Sequence, residues 1–138
     1  MMRTLEIDAI TENLDEVIGF IDGVLEENDC PMKIQLQIEL TVEEVFINIA
    51  SYAYAPQIGT AKISVDVDGD KADVTMVFED SGVPYDPLAK EDPDITLPAS
   101  ERGIGGLGIF LVKKNMNDVK YEYKDGKNVL TLTKSLNE

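Results

Sequence analysis

The sequence predicts an α/β fold, in detail an α+β two-layer sandwich in which a mixed sheet carries helices on one face. Three observations predict it. Two consecutive N-terminal segments repeat apolar residues at helical spacing, and two later pairs of alternating runs are each joined by a short Asp/Gly turn. The elements then follow in the order β-α-α-β-β-loop-α-β-β. Strands that arrive as hairpins give a mixed or antiparallel sheet, and amphipathic helices must lay their apolar stripes on it.

Residues Met2–Asp8 alternate weakly and read as a first strand. Thr11 reads as a helix N-cap, followed by Leu14, Val17, Ile18, Ile21, Val24 and Leu25 at i, i+3, i+4 spacing. Asn28-Asp29-Cys30-Pro31 breaks that helix, and Pro31 suits the first turn of a second. There Ile38, Val42, Val45, Phe46, Ile49 and Ala53 line one face, with an end expected near Tyr54, before Pro56. Ala61–Val67 and Ala72–Glu79 alternate around Asp68-Gly69-Asp70, a hairpin. A Pro- and Asp-rich stretch from Val83 to Glu101 reads as a long loop, and loops of that length in a compact domain are usually functional. A third helix opens in RGIGGLGIF and runs to about Asn117. Val119–Tyr123, an Asp125-Gly126 turn and Val129–Thr133 form the closing hairpin.

The 138 residues fit one domain over 1–138, and 43% hydrophobic against 28% charged side chains supplies a core. Twelve basic against 27 acidic side chains give a net charge of −15, which excludes the clustered cations a nucleic-acid binder needs. No run approaches the length of a membrane span, and MMRTLEIDAI has no apolar signal core. With the single Cys30, which has no internal partner for a disulfide, this points to a cytoplasmic protein. The chain has no histidine, so His-based triads, bases and metal sites are excluded.

Three constellations could carry chemistry. Glu44 and Asn48 are four apart and share a face of the second helix, well round from its apolar stripe. That face is either solvated, as helix acids usually are, or it meets a ligand. A carboxamide oxygen suits Mg²⁺, and a carboxylate can accept a proton. Glu79-Asp80-Ser81-Gly82 ends a strand; Asp80 either caps the turn or accepts a hydrogen bond from the exocyclic amine of a buried adenine, with Gly82 allowing close approach. Gly103-Ile104-Gly105-Gly106-Leu107-Gly108 places four glycines at a helix start, where each would cost roughly 1 kcal/mol inside the helix. Backbone N–H groups there suit phosphate, and Arg102 adds a cation.

The glycine run also spells the dinucleotide pattern, and Asp125 lies 22 residues beyond Gly103. Yet the run follows a Pro-rich loop rather than a strand, and only 30 residues come after Gly108, so no βαβ half fits. No Gly-Lys-Ser/Thr follows, which excludes a P-loop. Asp66-Val67-Asp68-Gly69-Asp70 lacks EF-hand spacing and reads as a turn.

Taken in order, VEEVFINIASYAY resembles the N-box of the GHKL ATPase/kinase superfamily, EDSGVPYDP its G1 box, and RGIGGLGIFLVKKNMNDVKYEY its G2 box with the helix and strand that follow. The resemblance covers roughly Glu6–Lys134 and points to the RsbW-like branch of anti-sigma-factor serine-protein kinases. It implies a Bergerat ATP-binding fold. It also implies that Asn48 ligates the Mg²⁺ that bridges the phosphates of ATP or ADP, and that Glu44 is the general base or water-orienting acid. Asp80 would bind the adenine amine with Gly82 beside the ring. Val83–Arg102 would be the ATP lid, and Gly103, Gly105, Gly106 and Gly108 would cradle phosphates beside Arg102. Ser51 stands where many relatives have His, and the lid carries the acids Glu91, Asp92 and Asp94.

Partners implied in this way are an anti-anti-sigma protein, whose serine takes the γ-phosphate, and a sigma factor or similar regulator, with a homodimer as the usual assembly. No nucleic acid or membrane partner is expected. Two rival functions remain: a nucleotide-gated protein-binding switch with little or no kinase activity, and a scaffold that no longer binds nucleotide. Glu44 favours the kinase over the switch, because binding alone needs no base, while Asn48, Asp80 and the glycines argue against the scaffold.

Overall fold

The computed structural model describes residues 2–54, 57–84, 86 and 106–137, with the side chains of 106–109 left undescribed. A five-stranded sheet is built from β1 (Arg3–Asp8), β2 (Thr60–Asp68), β3 (Asp73–Asp80), β4 (Asp118–Lys124) and β5 (Lys127–Ser135). Helices α1 (Leu14–Glu27), α2 (Met32–Asn48) and α3 (Gly106–Asn115) complete the second layer. Strand order is β1-β2-β3-β5-β4, and every pairing is antiparallel.

The sheet is thus antiparallel rather than mixed among the described residues, for reasons of chain path. The α1–α2 hairpin returns the chain to the end of the sheet where β1 finished, so β2 must run against β1. The segment containing α3 returns the chain so that β4 runs in the direction of β3. The two would pair in parallel if adjacent, but β5 folds back between them and opposes both.

Strand β3 shows the layer logic most plainly. Val74, Met76, Phe78 and Asp80 are buried, while Asp73, Thr75, Val77 and Glu79 alternate onto the more open face. The buried side meets Ile63 and Val65 of β2, Leu130 and Leu132 of β5, Val17, Ile21 and Leu25 of α1, and Ile38, Val42 and Phe46 of α2. Each of these apolar side chains leaves water by joining the one cluster, at about 25 cal/mol per Å² buried.

Local differences from the sequence expectation have identifiable causes. Thr11 opens a short 3₁₀ turn, Thr11–Asn13, and makes no side-chain cap; α1 starts at Leu14. The β2–β3 loop has four residues, because Asp68 Oδ1 accepts from the N–H groups of Asp70 (3.0 Å) and Lys71 (3.2 Å). This side-chain-closed turn moves the left-handed residue to Ala72, φ 54°. In the β4–β5 hairpin both turn residues, Asp125 (φ 54°) and Gly126 (φ 77°), are left-handed, as a two-residue connection requires.

Candidate functional site

Helix α2 continues past Asn48 as a π-helical turn, Ile49–Ala53. A π-turn spends five residues on one hydrogen-bonded loop and commonly marks a functional position. At its end the carbonyl of Ala53, which has no helical partner to come, accepts from Val83 N–H at 3.0 Å. That bond fastens the end of α2 to the turn that follows β3.

The same turn is held from two other sides. Ser81 N–H donates to the Tyr54 hydroxyl at 2.7 Å, and that hydroxyl donates to the Thr60 carbonyl at 2.7 Å. Gly82 lies so close to Ala53 that a Cβ on it would stand 2.2 Å from the Ala53 carbonyl oxygen. Only glycine fits this approach.

Between α2, its π-turn, β3 and β5 lies a cavity of about 60 Å³. Val45, Ile49, Phe78 and Leu130 give it apolar walls, and Tyr52, Ala53, Val83 and Tyr121 contribute from the rim. Its polar lining consists of Asn48, Asp80 and Asn128. A mostly apolar cleft with a few convergent polar groups is the usual form of a small-molecule site.

Asp80 is 7% exposed. Its Oδ1 accepts from Gly82 N–H and from Asn128 Nδ2, both at 2.9 Å, so the carboxylate caps its own turn and is braced from the next strand. No described residue donates to Oδ2. Asn128, also 7% exposed, directs Nδ2 to the Val83 carbonyl as well, at 2.8 Å, and its Oδ1 accepts from the Tyr121 hydroxyl. Both readings of Asp80 from the sequence, turn cap and ligand acceptor, are therefore compatible, since they use different oxygens.

Asn48 and Asp80, 32 residues apart in sequence, thus wall one cleft, and Gly82 sits beside them. Glu44 is half-buried one helical turn before Asn48, about 6 Å along the axis, and is outside the cavity wall. Gly106 and Gly108 occupy the first turn of α3, which packs on α2. Arg102, Gly103 and Gly105 lie outside the described residues, as does most of the Val83–Arg102 loop; of it, Val83, Pro84 and Asp86 are described. Among the described residues lining the cavity there is no cation.

The sequence reading gave no site role to Asn128, Tyr121 or Tyr54, although Tyr54 closes the N-box string and Tyr121 stands in the strand that follows the G2 box. For Asn128 the available signal was the hairpin turn at Asp125-Gly126, which fixes its place at the start of β5 but says nothing of which strand lies beside it.

Elsewhere, Asp22 on α1 has its carboxyl pushed up to about 6 from an ordinary 3.8. Burial is the first cause, then a hydrogen bond and like charge from Glu39 of α2, with Glu26 adding and Gln35 opposing. Cys30 is raised by burial and by the charge of Asp22.

A family model described as the histidine kinase-like ATPase domain matches residues 7–134. The serine/threonine-protein kinase BtrW of Bordetella bronchiseptica is 25% identical over 130 residues, covering 94% of this chain and 91% of its own length. The serine-protein kinase RsbW of Listeria monocytogenes is 29% identical over 106 residues, 73% of this chain and 66% of that protein. A crystal structure of the RsbU and RsbW domains of a Mycobacterium tuberculosis protein matches 96% of this chain with a TM-score of 0.67. At 17% identity, and with 32% of that chain covered, the likeness is one of fold. No described helix is long and apolar enough to cross a membrane.

Proposed function

This chain belongs to the histidine kinase-like ATPase domain family, and from that premise we propose that it binds ATP or ADP with Mg²⁺ in the cytosol, transfers the γ-phosphoryl group to a serine of an anti-anti-sigma protein, and sequesters a sigma factor or similar regulator. One observation carries the reading: Asn48 and Asp80, to which the resemblance gives Mg²⁺ and the adenine amine, line the same apolar cleft.

In this reading the adenine enters the cleft between Ile49 and Leu130, and Asp80 Oδ2 accepts from its amine. Gly82, whose Cβ position is filled by Ala53, lets the turn that carries Asp80 seat against the end of α2 beside the cleft. The Asn48 carboxamide oxygen, a hard donor at the cleft wall, would hold Mg²⁺. The described residues contain no cluster of three His, Cys, Asp or Glu side chains able to hold a metal. The ion would then draw most of its ligands from phosphate and water, and would bind with the nucleotide rather than before it. When bound, it neutralises phosphate charge. Because no described cation lines the cleft, the phosphates would depend further on the backbone of Gly103, Gly105, Gly106 and Gly108 and on Arg102. In transfer, the seryl oxygen bonds to the γ-phosphorus as the bond to the β,γ-bridging oxygen breaks. Glu44 takes the seryl proton, and ADP leaves.

Calorimetric titration with ADP, with and without Mg²⁺, tests the site. Mg²⁺-dependent binding on the order of micromolar Kd, lost in Asp80→Asn, is the expected result. No binding under either condition overturns the reading. Glu44 lies outside the cavity wall, which favours the binding-only switch as the second reading; transfer of label from [γ-³²P]ATP to a seryl partner separates the two.

A further inference from the structure

The hydrogen bonds around Asn128 determine more than the stability of a hairpin. The Val83 carbonyl and the Asp80 carboxylate oxygen can only accept, so the side of the Asn128 amide that meets them must be its nitrogen. Its oxygen then faces Tyr121, whose hydroxyl must donate. The orientation of the amide is therefore fixed by chemistry from three directions. Asn128 and Asp80 are also direct partners in the β3–β5 register, so backbone pairing sets the distance between them.

The consequence falls on Asp80. A carboxylate turns easily about its last torsion, which has only a broad preference. Here two donors approach Oδ1 from different elements: Gly82 N–H from the turn and Asn128 Nδ2 from β5. That pins the plane of the group and leaves Oδ2 as the oxygen available to the cleft that Asp80 lines. Because Asn128 also holds the Val83 carbonyl, it ties the first and last residues of the Asp80–Val83 turn to one side chain.

We propose that Asn128 is a positioning residue for base selection: by holding Asp80 Oδ1 it presents Oδ2 as a fixed acceptor, so that the cleft takes a purine with a 6-amino donor and rejects one with a 6-oxo acceptor. The inference rests on the nucleotide reading above and adds to it which residue sets the choice of base. A 6-oxo group would place an acceptor against the Asp80 Oδ2 acceptor in a buried site, and the carboxylate would have to turn to meet the N1 proton beside it. Were the Asn128 amide removed, the Asp80 carboxylate could turn away from that encounter, and the penalty against the wrong base would shrink.

ADP and IDP make the test, since they differ at the purine 6-position, with the accompanying N1 proton, and share ribose and phosphates. Kd for each is measured with Mg²⁺ by calorimetry on the wild-type chain, Asn128→Ala and Tyr121→Phe. Wild type is expected to favour ADP over IDP by about 100-fold or more, a typical ratio for one buried polar mismatch. Asn128→Ala should reduce that ratio at least tenfold. Tyr121→Phe, which removes one hydroxyl from a half-buried residue and is the variant to rely on if Asn128→Ala does not fold, should reduce it by a smaller factor. A merely structural role would lower the melting temperature and weaken both ligands together, leaving the ratio where it was. An unchanged ratio in a folded Asn128→Ala, or in Tyr121→Phe where the first does not fold, overturns the inference. So does a wild type that binds ADP and IDP equally, while the nucleotide reading survives. A wild type that binds neither removes both.

Discussion

Gly82 and Ala53 meet at a distance that leaves no room for a side chain: a Cβ on Gly82 would lie 2.2 Å from the Ala53 carbonyl oxygen and 2.6 Å from its carbonyl carbon. The contact joins the π-turn at the end of α2 to the turn that carries Asp80, and the Val83 N–H bond to the same carbonyl depends on it. Gly82→Ala must therefore push the turn off the helix. We expect a loss of about 1–3 kcal/mol of stability, the usual range for overpacking, together with weakened ADP binding. Urea denaturation and calorimetry on the same sample check it; an alanine variant with wild-type values for both would show that the turn can shift without consequence.

Tyr54 holds that turn from the opposite side, taking the Ser81 N–H and donating to Thr60. In Tyr54→Phe both bonds go, while the ring remains over Gly59. Each is partly exposed, so water replaces much of what is lost, and the expected cost is about 1 kcal/mol. The larger effect should be on ligand affinity, because Ser81 is the residue next to Asp80. Thermal melts with and without ADP measure the two separately.

Glu44 and Asn48 share a face of α2 and divide the work between them in the proposed reaction. Asn48→Ala should remove the Mg²⁺ dependence of ADP affinity and leave the melting temperature of the free protein close to wild type, since Asn48 is half-buried at the cleft wall. Glu44→Gln should bind ADP normally and transfer phosphate about 10²–10⁴-fold more slowly, the range for loss of a general base. Normal turnover in Glu44→Gln would assign the proton to another acceptor.

Asp22 supplies a pH dependence whose sign is opposite to that of an ordinary surface acid. Its carboxyl is raised to about 6 by burial first, then by Glu39, with a smaller contribution from Glu26 and an opposing one from Gln35. One of its oxygens, Oδ1, is buried without a hydrogen-bond partner. A raised folded value means the fold holds the proton more tightly than the unfolded chain does. This group therefore favours folding as pH falls from about 6 toward 3.8, and opposes it above 6. Asp22→Asn should be more stable than wild type at pH 8, by about 1 kcal/mol once solvent screening is allowed for. The gap should narrow as pH is lowered to 4.5. Urea midpoints of the two proteins across that range decide it, because the acids that do not interact with Asp22 cancel in the difference.

Much of this arrangement was legible along the chain. The helical spacing of Val17, Ile21, Val24 and Leu25, and of Ile38, Val42, Val45 and Phe46, named core residues correctly, since an amphipathic period is a local property that burial then uses. Asp125-Gly126 announced its hairpin because two left-handed residues are needed there. The π-turn after Asn48 was not legible, as nothing in Ile49–Ala53 forbids an α-helix. The Asp22–Glu39 encounter was hidden for a similar reason: each residue looks like a solvated helix acid until the two helices pack.

The sequence by itself determined which elements form and which of their faces are apolar, and it singled out Asn48, Asp80 and Gly82 as candidates for one site. Strand order was decided only by the tertiary structure. Sequence proximity offers β4 as the next neighbour of β3, but β5 inserts between them, and so Asn128 meets Asp80 across 48 residues of chain. Local propensity specifies a strand without choosing its partner. The choice is made by burying Leu130 and Leu132 against Phe78 and Met76, a gain that exists only once the whole sheet has assembled.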